Sequence, residues 1–128
     1  MILYESSEDY LERILMLKEK NGEVISIDIA NSMGYTKASV SRAVKNLKEN
    51  DYITVDSKGR IELTEKGNEV ALKMLNRHRI FKSFFMKCGV SEEIAERDAC
   101  KIEHDISDET YNAIINYIIE DERKLNNK

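Results

Sequence analysis

The sequence predicts a mainly α fold in two parts, a winged helix-turn-helix followed by a helical part. Three observations lead to that reading. Apolar residues recur at helical spacing along most of the 128 residues. The few glycines fall mainly where those stretches end, and proline is absent. One segment near the middle breaks the pattern, with apolar and polar residues alternating on both sides of a polar turn.

Ser6 to Lys20 reads as the first helix, because Tyr10, Leu11, Ile14, Leu15 and Leu17 give helical apolar periodicity and Asn21-Gly22 closes it. A short helix follows from about Ser26 to Met33, then a tight turn at Gly34-Tyr35. Thr36 is placed to cap a third helix with Val40, Val44 and Leu47 on one face and Asn50-Asp51 at its end. Tyr52 to Val55 and Arg60 to Leu63, joined by Asp56-Ser57-Lys58-Gly59, form the expected β-hairpin. A long helix should run from Thr64 to about Lys87, stopped by Gly89; another should begin after the cap Ser91 and continue through His104. The last helix, from about Ser107 to Arg123, carries Tyr111, Ile114, Ile115, Ile118 and Ile119, an apolar stripe that suits a dimer surface.

Length and composition bound the class. Such a chain is long enough for a hydrophobic core, in one body or two lobes. Apolar residues at 41% and charged ones at 34% fit a soluble globular protein, and no apolar run approaches the roughly 20 residues needed to span a bilayer. The opening Met-Ile-Leu-Tyr-Glu lacks a basic region followed by an apolar core, which argues against a secretion signal and for a cytoplasmic location. Two cysteines, Cys88 and Cys100, argue against a disulfide framework and leave metal binding or packing as their uses; Cys88, beside Gly89, reads as packing.

The net charge of −4 argues against a simple nucleic-acid coat protein, but the charge is uneven. Thr36 to Arg60 carries +3 and the rest −7. With Val40, Val44 and Leu47 buried, the third helix presents Lys37, Ser39, Ser41, Arg42 and Lys45, groups suited to phosphates and base edges. Arg42 is the candidate base reader, since a guanidinium pairs bidentately with guanine; Thr36, Lys58 and Arg60 are placed to hold the DNA backbone. One winged helix makes too few contacts for a specific regulator, so a homodimer on double-stranded operator DNA is the expected arrangement.

A second set of residues points to a metal. Cys100, Glu103 and His104 stand at i, i+3 and i+4, and Asp9 and Glu12 at i, i+3, spacings that stack side chains on one helix face. His78 shares an inward stripe with Ala71, Met74, Leu75, Phe81 and Phe85. Taken singly, each reads as an ordinary core or solvated residue. Together they offer oxygen, nitrogen and sulfur donors from three helices to one or two ions, and both histidines of the chain are among them.

These residues carry a resemblance to the diphtheria toxin repressor family, the metal-dependent repressors that include the manganese transport regulator. The matching stretches are Ser7-Glu-Asp-Tyr-Leu-Glu12, the helix-turn-helix with its wing, Arg77-His-Arg79, and Asp98-Ala-Cys-Lys-Ile-Glu-His104 running into Asp105-Ile-Ser-Asp108. The resemblance implies a winged helix-turn-helix DNA-binding domain over residues 1–63 and a helical metal-binding and dimerisation domain over 64–128, acting as a repressor of metal-uptake genes. It makes Asp9, Glu12, His78, Cys100, Glu103 and His104 the ligand set. Manganese-type members usually have Glu in place of Cys100, whereas iron-type members have the cysteine but usually Met in place of Asp9. Iron-type members also place Glu where Lys82 stands and His where Glu96 stands. The SH3-like domain of longer relatives is not expected, since the sequence ends at Lys128.

Carboxylate and imidazole suit Mn²⁺ or Fe²⁺, and the thiol tilts the expectation slightly to Fe²⁺. Two other classes compete with this reading. A winged-helix regulator of a small organic ligand would leave the acidic and histidine residues structural. A small metallohydrolase would need a general base, nucleophile or phosphate-cradling loop that the sequence does not offer, so an enzyme is not expected.

Overall fold

Helices and one small sheet succeed one another in the computed structural model, which describes residues 5–127 and, of Glu5, the backbone alone. Met1 to Tyr4, which belong to the segment bearing on a secretion signal, lie outside the described residues, as does Lys128. The order is α1 (Glu5–Asn21), α2 (Ser26–Met33), α3 (Lys37–Glu49), β1 (Ile53–Val55), β2 (Ile61–Leu63), α4 (Glu65–Lys87), α5 (Glu92–Ile102) and α6 (Asp108–Asn126). The backbone divides into two compact units, Met1–Asn76 and Arg77–Lys128.

In the first unit, α1 closes on a core through Tyr10, Leu11 and Ile14, with Leu11 and Ile14 fully buried. Burying each of these aliphatic side chains contributes about 1.5 to 3 kcal/mol. The turn from α2 to α3 follows from Gly34, whose φ of 71° is open to glycine; its N–H and that of Tyr35 both donate to the Ala30 carbonyl. Thr36 then caps α3, its Oγ1 accepting from the Ser39 N–H at 3.1 Å. Val40, Val44 and Leu47 point into the core. After Asn50, Asp51 takes the left-handed conformation at φ 64° and the Tyr52 N–H returns to the Leu47 carbonyl at 3.0 Å.

The hairpin is the expected one, trimmed at its ends. β1 and β2 pair antiparallel, Ile53 opposite Leu63 and Val55 opposite Ile61. The Asp56 carboxylate organises the turn by accepting from the Lys58 and Arg60 N–H groups, each at 2.9 Å, and from Arg60 Nε at 2.6 Å. On its other side β2 bonds to the chain before α2, the Ile61 N–H donating to the Val24 carbonyl at 2.7 Å. Thr64 starts α4, its Oγ1 accepting from the Gly67 N–H.

In the second unit, α4 carries the aromatic side chains Phe81 and Phe85, stacked at 6.1 Å, and Phe81 meets Tyr111 of α6 edge-on at 6.0 Å. Ala95 and Ala99 give α5 its buried face. Ser91 stands at the N-cap of α5 without a side-chain cap bond, whereas Ser107 caps α6 by accepting from the Thr110 N–H at 3.1 Å. The stripe on α6 is half-buried at Tyr111, Ile114, Ile115 and Ile118, while Ile119 and its neighbour Tyr117 are exposed. Among the described residues no helix is long and apolar enough to cross a membrane.

The end of α5 departs from the expectation. The helix thought to continue through His104 ends at Ile102, and Glu103 to Asp105 form a turn. The reason is Arg77. Its Nη1 donates to the Glu103 carbonyl at 3.2 Å and the Ile106 carbonyl at 2.8 Å, and its Nη2 pairs with Asp108. These carbonyls find a buried guanidinium instead of a further helical turn.

Candidate functional site

The candidate metal centre is built in the second unit around Glu103, whose side chain is fully buried. His78 Nδ1 lies 3.0 Å from Glu103 Oε2, and His104 Nε2 lies 3.2 Å from Glu103 Oε1. Glu103 keeps helical dihedrals at the end of α5, so the sequence spacing still sets its direction, and its N–H still reaches the Ala99 carbonyl. His78 is 7% exposed on α4, one residue after the Arg77 that holds the turn.

A buried carboxylate between two imidazoles is costly unless positive charge is supplied. Protonating an imidazole supplies it; a divalent cation bound by the ring nitrogens and the carboxylate also would. Nitrogen and oxygen donors of this kind suit first-row divalent ions, so the residues present fit such a metal. On Cys100 the geometry differs from that of its neighbours, for it lies on α5 but is exposed. In the first unit, Asp9 and Glu12 are one turn apart on α1, Asp9 half-buried and Glu12 6% exposed.

Sequence reasoning assigned no role to Glu96 at this site. Its Oε1 lies 2.8 Å from His78 Nε2, and its Oε2 accepts from Lys82 Nζ at 2.9 Å. Burial raises the Glu96 carboxyl, but the Lys82 hydrogen bond and the His78 charge outweigh it, leaving the group below the usual range. Lys82 is raised chiefly by its hydrogen bond to Glu96. The spacing of Glu96 from Cys100, one helical turn, was the available signal, but the turn linking α4 to α5 had to be known before it could be read.

The basic face belongs to the first unit. Lys37, Ser41, Arg42 and Lys45 are exposed on α3, opposite its buried stripe. Ser39 is half-buried and accepts from Thr36 Oγ1 at 2.9 Å, so both hydroxyls also serve the cap. Lys58 is exposed in the wing turn. Arg60 is held within the wing by Asp56 and, at 3.4 Å, by Glu23, so a phosphate would compete with two carboxylates for it. Tyr35, not singled out by the sequence, is half exposed beside the start of α3 and rests on Tyr10 at 5.9 Å between ring centres.

Known proteins share both parts. The family model for the iron dependent repressor, N-terminal DNA binding domain, matches residues 2–60, and that for the iron dependent repressor, metal binding and dimerisation domain, matches residues 64–123. The HTH-type transcriptional regulator MntR of Geobacillus kaustophilus is 35% identical over 126 residues, which cover 94% of this chain and 87% of that protein. Among solved structures, the manganese regulator SloR is 29% identical with a TM-score of 0.73, covering 91% of this chain and 55% of that one. IdeR of T. acidophilum is 27% identical with a TM-score of 0.77, covering 87% and 53%. The chain thus spans about half the length of these two structures. The relatives are transcriptional regulators, which removes the metallohydrolase reading. With a repressor-type DNA-binding domain followed by a repressor-type metal-binding and dimerisation domain, the chain belongs to the iron-dependent repressor family of metal-dependent transcriptional regulators of metal homeostasis.

Proposed function

We propose that the chain acts in the cytoplasm as a homodimer that binds operator DNA when a divalent cation is held by Asp9, Glu12, His78, Cys100, Glu103 and His104, and so represses genes of metal uptake. The observation that carries this is the buried Glu103 carboxylate between His78 and His104, inside the segment matched by the metal-binding family model. The family models also support reading residues 1–63 as the DNA-binding domain and 64–128 as the metal-binding and dimerisation domain. When bound, the cation supplies the positive charge that the carboxylates need. By linkage the cation binds the DNA-competent arrangement more tightly, and a coupling of about 1 to 3 kcal/mol changes DNA affinity roughly 5- to 150-fold.

DNA contact is assigned to Lys37, Ser41, Arg42 and Lys45 on α3 and Lys58 in the wing, with Thr36 and Ser39 shaping the helix start and Arg60 bracing the wing. Mn²⁺ and Fe²⁺ are the candidate signals. The case for Fe²⁺ rests on the Cys100 thiol, which is exposed, while the buried donors are nitrogen and oxygen and suit either ion. Relatives such as the manganese regulator SloR favour Mn²⁺.

The test is fluorescence anisotropy on a duplex selected from a random pool, with Mn²⁺, Fe²⁺ or a chelator present. Equal DNA binding with metal and with chelator refutes the function. Cys100→Glu should shift the response toward Mn²⁺, and an unchanged ranking of metals removes the thiol as selector. A regulator of a small organic ligand would show no heat on metal titration by calorimetry.

A further inference from the structure

His78 is approached by two carboxylates, one at each ring nitrogen, and only one of them belongs to the ligand set. Glu103 faces Nδ1 at 3.0 Å and is fully buried; Glu96 faces Nε2 at 2.8 Å and is about half exposed. An imidazole that ligates a metal must present a lone pair at the ligating nitrogen, and the proton left on the ring then sits on the other one. Which nitrogen is free is set by the hydrogen bond the other makes. Here that bond ends on Glu96, whose second oxygen is held by Lys82, one helical turn beyond His78 on the same helix.

We propose that Glu96, clamped by Lys82, is a positioning residue for the metal site: it accepts a hydrogen bond from His78 Nε2–H and so leaves Nδ1 as the nitrogen offered to the cation beside Glu103. With a cation held at Nδ1, any proton on that nitrogen would pass to solvent, while the Nε2 proton would remain on the ring, hydrogen-bonded to Glu96. A ring rotated by half a turn would lose both contacts. The pair thus fixes the ring's orientation without touching the ion. This inference rests on His78 being a ligand, as proposed above.

The test uses the full chain and Mn²⁺, with free Mn²⁺ followed by electron paramagnetic resonance. Glu96→Leu should weaken Mn²⁺ binding about 10- to 100-fold, the usual cost of losing such an outer partner. Glu96→Gln keeps a side-chain oxygen that accepts from Nε2 and should restore most of that loss. The exchange Lys82→Glu with Glu96→Lys preserves an ion pair but sets an ammonium against Nε2–H, and should bind as weakly as Glu96→Leu. In the Zn²⁺-loaded protein, the His78 Nε2 proton should resonate downfield and exchange slowly, and Glu96→Leu should abolish both features.

Wild-type Mn²⁺ affinity in Glu96→Leu, or in the charge exchange, overturns the positioning role. Should Glu96→Leu fail to fold, as read by circular dichroism, the charge exchange carries the same decision. His78→Ala separates the two claims. Loss of Mn²⁺ binding there without loss in Glu96→Leu ends only the positioning role; full binding in His78→Ala ends the ligand reading and this inference together.

Discussion

Arg77 on α4 donates from Nη1 to the carbonyl of Ile106 at 2.8 Å, across the turn that ends α5 and starts α6. The same nitrogen reaches the Glu103 carbonyl, the guanidinium lies 4.8 Å from the Tyr111 ring centre, and the residue is 3% exposed. Arg77→Met should therefore strand buried carbonyls and destabilise the second unit by about 2 to 4 kcal/mol, measured by urea unfolding. Arg77→Lys should recover little, because an ammonium lacks the planar fork. Unchanged stability in Arg77→Met would remove the turn-holding role.

Glu103 sits between the imidazoles of His78 and His104. Glu103→Ala should weaken Mn²⁺ binding by more than the roughly 100-fold that an outer partner costs. A loss below tenfold by chelator competition would mean that the carboxylate is not a ligand.

On α3, Arg42 and Lys45 are both exposed but are expected to act differently. Arg42→Ala should cost about 1 to 3 kcal/mol in DNA affinity and relax preference at one base position. Lys45→Ala should weaken all sequences alike and lower the salt slope by about 1. Binding assays over a series of salt concentrations and single-base variants distinguish the two, and identical profiles would undo the assignment.

Gly67 in α4 faces the carbonyl oxygen of Tyr52, so closely that a Cβ would overlap it. Alanine is the better helix former by about 1 kcal/mol, but the overlap is with backbone and cannot be relieved by a rotamer. Gly67→Ala should lower stability by about 1 to 3 kcal/mol in chemical unfolding. A stabilised variant would show that α4 can retreat from the wing at no cost.

The wing turn carries a pH signature. Hydrogen bonds from the Arg60 backbone and side chain hold the Asp56 carboxyl below its ordinary value, with a further backbone bond from Lys58. A depressed folded pKa means that the contribution is fully present above the unfolded value, about 3.9, and is lost as pH falls through the folded one. Amide shifts of Lys58 and Arg60, followed by NMR, should titrate together below the ordinary aspartate range. A midpoint at or above that value would remove Asp56 as the turn's organiser.

Much of this molecule is legible from local sequence. Val40, Val44 and Leu47 set the buried face of α3, Thr36 caps that helix, and Gly34 permits the turn between α2 and α3, because periodicity and capping act over a few residues. The spacing of Glu103 and His104 was readable for the same reason, as was the basic face of α3. What only tertiary structure decided lies between residues distant in sequence. Ending α5 at Ile102 depends on Arg77, 25 residues earlier, and the role of Glu96 depends on its meeting His78 and Lys82. A side chain's local pattern states which way it points along its own helix; which carboxylate meets which imidazole is set by packing energies summed over helices that the local pattern does not contain.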